Sequence, residues 1–167
     1  MVERGIYYAK GELKSLIQKM GGEWNDSKKR PIVCLIKSTE HDGLYWAIPM
    51  GKYNHRDAKQ ITRLNRYLNY DNSDIRSCFY HVGRTTAKSI FFISDAIPIT
   101  DKYILEEHVN HEGDHFVIKN PILIKELERK LFRIISVENS APNHFRQHIT
   151  DVKNALILEL DESELNK

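Results

Sequence analysis

The chain has 167 residues, 41% hydrophobic and 29% charged. That is the balance of an ordinary globular domain, long enough to bury about two-thirds of its surface without staples. No apolar run approaches the roughly 20 residues of a membrane-spanning helix, and the two cysteines, Cys34 and Cys78, stand apart among apolar neighbours, which excludes a disulfide framework or a zinc knuckle and marks buried free thiols.

The net charge of +2 is unevenly spread. Residues 52–88 hold eight Lys and Arg against three Asp and Glu, a net of +5, and residues 89–167 hold nine against fourteen, a net of −5. A basic middle segment of this kind attracts phosphate chains even when the whole molecule is nearly neutral. The first residues, Met1-Val2-Glu3-Arg4-Gly5, lack the apolar core of a signal peptide, so export is not expected and the expected compartment is the cytoplasm.

In chain order, residues 6–9 read as a short strand. A helix is predicted over 10–20, with Leu13, Leu16, Ile17 and Met20 at helical spacing and Gly21-Gly22 to stop it. Residues 31–37 and 44–50 form a strand pair about the turn at 40–43. An amphipathic helix is predicted over 56–68, with Ile61, Leu64 and Leu68 on one side and Arg56, Lys59, Arg63 and Arg66 on the other. A strand near 78–82, a turn over 83–87 and an apolar strand over 89–94 follow, then a short extended piece at 97–100. Residues 102–109 and 115–118 suit a further extended pair about the turn at 112–114. Pro121 opens a helix to about residue 135, its missing N–H costing nothing in the first turn. A last helix is expected over 149–160, although that run also suits a strand, with a frayed tail after Asp161. Strands early and helices late indicate one α+β domain, a small, strongly bent antiparallel sheet or barrel with packed helices and a helical C-terminal third.

His111-Glu112-Gly113-Asp114-His115 matches the H-E-x-x-H zinc motif, which requires a helix so that both histidines share a face. Gly-Asp at its centre disfavours a helix, so the segment reads as a turn and no metal site is expected. Phosphate-cradling glycine motifs and the G-x-S-x-G elbow are absent from the sequence, which removes the usual support for nucleotide-dependent and serine-hydrolase chemistry.

Two polar groups remain at predicted strand ends. Gly51-Lys52 with His55-Arg56 follows one strand, and Arg84-Thr85-Thr86 with Lys88-Ser89 opens another. They meet if those strands pair. Together they suit RNA cleavage by 2′-hydroxyl attack. Lys52 or Arg84 can stabilise the phosphorane, His55 or Lys52 can move a proton, and Thr86 or Ser89 can hold a phosphate oxygen.

These residues resemble the toxins of type III toxin–antitoxin systems, the ToxN, AbiQ, TenpN and CptN group, and most of all the CptN branch. The likeness is carried by Ile6-Tyr7-Tyr8, by Arg30-Pro31-Ile32-Val33 with Ala47-Ile48-Pro49-Met50-Gly51-Lys52, and by Lys88-Ser89 through Asp95-Ala96-Ile97-Pro98-Ile99-Thr100. It spans most of residues 6–104. The resemblance implies a small barrel like that of the MazF and Kid toxins and an endoribonuclease that uses neither metal nor cofactor. It implies 2′,3′-cyclic phosphate ends, phage defence by abortive infection, and cellular or phage RNA as substrate. It also implies inhibition by an antitoxin RNA of pseudoknot repeats, bound in a closed protein–RNA assembly. Lys52 matches the family's basic residue, Ser89 the start of its second core strand, and Tyr7 or Tyr8 its N-terminal aromatic. ToxN-like members carry Thr-Ser before that lysine where this chain has Met50-Gly51, so the hydroxyl role is either absent or supplied from elsewhere, with Thr85, Thr86 and Ser89 the candidates. In this light Lys28, Lys29, Arg30, Arg56, Lys59, Arg63, Arg66, Arg84 and Lys88 grip the RNA backbone. Tyr53, Tyr67 and Tyr70 are candidates to stack on unpaired bases, with core packing the alternative for Tyr67. The alternative function is a non-catalytic RNA-binding module.

Overall fold

The computed structural model describes residues 1–24 and 29–166. Seven strands, β1 (Gly5–Ala9), β2 (Pro31–Lys37), β3 (Tyr45–Lys52), β4 (Tyr80–Arg84), β5 (Lys88–Phe92), β6 (Ile97–Ile99) and β7 (Ile104–Glu107), form one antiparallel sheet. Four helices, α1 (Gly11–Lys19), α2 (Ala58–Leu68), α3 (Pro121–Ser140) and α4 (Ile149–Leu165), complete the α+β fold among these residues. None of the helices is long and apolar enough to cross a membrane.

The strand order is β4-β5-β3-β2-β1-β7, with β6 beside the first half of β3. The sheet is open, which corrects the barrel alternative. Helices α2 and α3 meet β4, so that edge is covered by helices and does not pair with β7.

Both faces are covered, and the residues alternate between them. Ile6, Val33, Leu35, Trp46, Ile48, Met50 and Phe91 pack under α3, through Leu123, Leu127 and Leu131. Tyr7, Ile32, Cys34, Tyr45, Ala47 and Ile99 pack under α1 and α4, through Leu13, Ile17, Val152 and Leu156. Two-sided burial is why β2 and β3 read as continuous apolar runs without polar alternation. Both cysteines are free and buried.

Strand β3 divides its outer edge. Residues Tyr45 to Ala47 pair with β6, whereas Met50 to Lys52 pair with β5. Pro49 stands between the two registers, where a residue without an N–H is tolerated.

Several boundaries differ from the sequence expectation. Helix α2 begins at Ala58, because Asp57 caps it in a reciprocal capping box with Gln60, so Arg56 is an extended residue outside the helix. Cys78 closes a 3₁₀ turn capped by Asp74, and β4 runs from Tyr80 through Gly83 to Arg84. Gly83 reads locally as a turn residue, but a Cβ there would lie 2.5 Å from Leu123 Cδ1, so glycine lets α3 approach the strand. Helix α3 continues five residues past 135 to Ser140, and α4 extends through the expected tail to Leu165.

Candidate active site

Because β3 pairs with β5, the two polar groups meet. Lys52 stands directly opposite Ser89, and cross-strand partners share a face of the sheet. The same face carries Ile6, Ile48, Met50 and Phe91 into the core, so Lys52 marks where it turns polar. Tyr8 lies two residues beyond Ile6 on that face.

Tyr8 brings a residue that the sequence reading missed. Its hydroxyl shares a 2.9 Å hydrogen bond with His108 Nδ1. The His108 backbone is fixed on both sides, its N–H donating to Ile6 O at 2.9 Å and its carbonyl accepting from the Phe116 N–H at 2.8 Å. Burial lowers the His108 pKa, and the nearby His115 and Lys52 lower it further. The imidazole is therefore neutral near pH 7. Nε2 has no bond among the described residues, and in the tautomer whose Nδ1–H donates to the Tyr8 hydroxyl oxygen it carries the lone pair that can take a proton. Lys29 lies 4.7 Å from the centre of the Tyr8 ring and pairs with Glu106.

The other predicted residues have varied placements. Ser89 is buried and donates to Ala87 O at 3.1 Å, with Thr85 Oγ1 3.2 Å away, so its hydroxyl is used to close the β4–β5 turn. Thr86 is exposed in that turn, and Arg84 is exposed just before it. Lys88 lies 3.8 Å from the centre of the Tyr53 ring. His55 ends the 3₁₀ turn after β3 and is exposed. A cleft of about 380 Å³ separates the hairpin at Arg84 and Thr85 from the segment holding Asn110, His115 and Phe116. Phe116 also meets the His108 ring edge-on, so cleft and histidine share a wall.

The zinc-like sequence is a turn, with Gly113 at φ 87°. His111 is exposed, and His115 Nε2 is 2.9 Å from Ile6 O, a bond that holds the turn to β1. Among the described residues no three His, Cys, Asp or Glu side chains group as metal ligands.

Around the site, cations lie on aromatic rings. Arg63 and Arg66 are 5.9 and 5.6 Å from the centre of Tyr67, and Arg30 and Arg56 are 5.4 and 5.2 Å from Phe92. Tyr67 is itself committed to an aromatic cluster, stacked on Phe79 at 5.7 Å and edge-on to Tyr70 and Tyr80. Arg76 covers Tyr70 at 4.0 Å. Among the described residues Lys52, Arg56, Lys59, Arg63, Arg66, Arg84 and Lys88 form no ion pair, although other cations of the chain do. Lys28 lies outside the described residues.

No protein-family model matches the chain, and a search of curated proteins found no match.

Proposed function

We propose that this chain is a metal-independent endoribonuclease that cuts by 2′-hydroxyl attack on the adjacent phosphodiester. The observation that carries the reading is that Lys52 and Tyr8, with its partner His108, stand at the polar end of one sheet face.

In this reading His108 Nε2 accepts the 2′-hydroxyl proton as the 2′-oxygen bonds to phosphorus. In this role Nδ1–H donates to the Tyr8 hydroxyl oxygen, which orients the ring and leaves Nε2 as the base. The Lys52 ammonium stabilises the phosphorane charge and gives a proton to the 5′-oxygen as its bond to phosphorus breaks. The products are a 2′,3′-cyclic phosphate and a 5′-hydroxyl. Ser89 and Thr85 act by shaping the hairpin that faces the cleft.

The resemblance over residues 6–104 extends the reading to a type III toxin restrained by a pseudoknot RNA antitoxin, and it takes the bent sheet as an open variant of the MazF and Kid barrel. Unpaired cations on the surface favour RNA as the partner. They also serve the second reading, an RNA-binding module without catalysis.

Digestion of RNA in EDTA by protein made in a cell-free system, with the new ends mapped, separates the two. Cyclic phosphate ends that disappear in Lys52→Ala and His108→Gln are the expected result. RNA affinity without cutting by folded wild type would replace the nuclease with the binding module.

A further inference from the structure

Gly51 and Ile90 alternate with Lys52 and Ser89 along their strands, so they face the other side of the sheet. There a second cleft, about 150 Å³, lies between α2 and the β4–β5 pair, walled by Arg56, Gln60, Arg63, Tyr80 and Phe92. Arg56 lies over the Phe92 ring in the cleft wall, and Arg30, outside the wall, lies over the same ring. Burial depresses the Arg56 pKa, and the neighbouring Arg30 charge adds to it. Arg56 Nε is buried and has no acceptor among the described residues. The acid next to it in sequence, Asp57, is committed, since its carboxylate accepts the Gln60 N–H at 2.8 Å as the helix cap. Gln60 Oε1 returns the bond to the Asp57 N–H at 3.0 Å, which leaves the Gln60 side-chain N–H₂ as a free donor. A Cβ at residue 51 would lie 2.9 Å from Arg56 Nη2, so a glycine makes room for this guanidinium. Like charges gathered near one ring, with unused donors and no carboxylate partner among the described residues, suit an anion.

We propose that this cleft is a phosphate subsite, in which Arg56, Arg30 and Gln60 hold one phosphate of an RNA strand and Tyr80 borders the attached nucleoside. The RNA identity of the ligand rests on the ribonuclease reading, whereas the anion chemistry does not. A strand seated here passes the ends of β3 and β5 to reach Lys52 on the other face. Occupancy of the subsite therefore selects which phosphodiester meets His108.

The test is calorimetric titration of the full chain with inorganic phosphate, with the dinucleotide ApA and with adenosine, at constant ionic strength. Wild type is compared with Arg56→Gln, Gly51→Ala and the remote Lys19→Gln, each checked for folding by thermal melting. Expected are binding of phosphate and ApA, weakened roughly tenfold or more in Arg56→Gln, less in Gly51→Ala because the guanidinium end can swing aside, and unchanged in Lys19→Gln. Binding of phosphate without ApA keeps the anion site and rejects the RNA strand as its source. Wild-type affinity in folded Arg56→Gln, or adenosine binding as tightly as ApA, overturns the subsite. RNA cutting in EDTA is read on the same samples. Cutting by wild type with unaltered phosphate binding in Arg56→Gln leaves the nuclease and removes the subsite, and loss of phosphate binding without any cutting does the reverse.

Discussion

The basic middle of the chain and its acidic last third use charge in opposite ways. In the last third most described cations are held by a partner, often on another element. Arg146 reaches Asp95 through two nitrogens, Lys153 reaches Glu40 at 2.7 Å, and Arg129 reaches Glu126 at 3.0 Å. Even the buried Lys130 is satisfied, by Tyr80 O at 2.7 Å. In the middle segment Lys52, Arg56, Lys59, Arg63, Arg66, Arg84 and Lys88 have no carboxylate partner among the described residues and lie on rings or in solvent. Paired charges hold a fold together. Unpaired charges of one sign repel each other and weaken the free protein, so their concentration points to an anionic partner.

The comparison can be broken most sharply at Lys52. Lys52→Ala is expected to slow RNA cleavage on the order of a thousandfold, with little change in the melting temperature. Equal cutting by wild type and variant would remove Lys52 from the site while leaving the enzyme. Next, Arg63→Glu with Arg66→Glu is expected to lower RNA affinity by roughly ten- to a hundredfold at fixed salt and to flatten the salt dependence. Its stability should hold or rise, since no ion pair is lost, and a salt-controlled titration with no change would sink the contrast.

Acid tests the contact between the two regions, where His81 of the middle segment lies near Lys130 of the last third. Burial, helped by Lys130, pushes His81 down to about 4. The unfolded chain binds that proton near pH 6.5 and the folded chain only near 4, so unfolding takes up a proton between those values. Stability is full above pH 6.5 and falls as the pH drops toward 4, by roughly 2 kcal/mol after discounting the partial exposure of the ring. Urea midpoints at pH 7 and pH 4.5 should show this loss in wild type and a smaller one in His81→Gln. The smallest effect is expected from Arg146→Ala, about 1 kcal/mol or less for a half-exposed pair. That loss should appear in urea midpoints with RNA affinity unmoved, the mirror image of the double reversal at Arg63 and Arg66.

Much of this was legible before any coordinates. The β2–β3 pair, the apolar stripe of α2 and the Pro121 start of α3 all follow from spacing over a few residues, and each is found where expected. The H-E-x-x-H match failed as a helix for a local reason, Gly113 in a turn. The Met50-Gly51 pair was legible only as a departure from a family pattern. Its meaning, space for Arg56 on the face opposite Lys52, depends on a residue brought in from the loop before α2.

Local neighbours along the chain thus determined the strands, the helices and the basic segment. Those properties depend on side-chain periodicity, capping and composition, which act within a turn or a strand. Tertiary structure decided which polar residues share a site. Lys52 meets Ser89 because β3 leaves β6 for β5, and Tyr8 meets His108 across 100 residues because β1 pairs with β7. Register between distant strands is set by burial on both faces of the whole sheet, a condition that no short stretch of sequence carries.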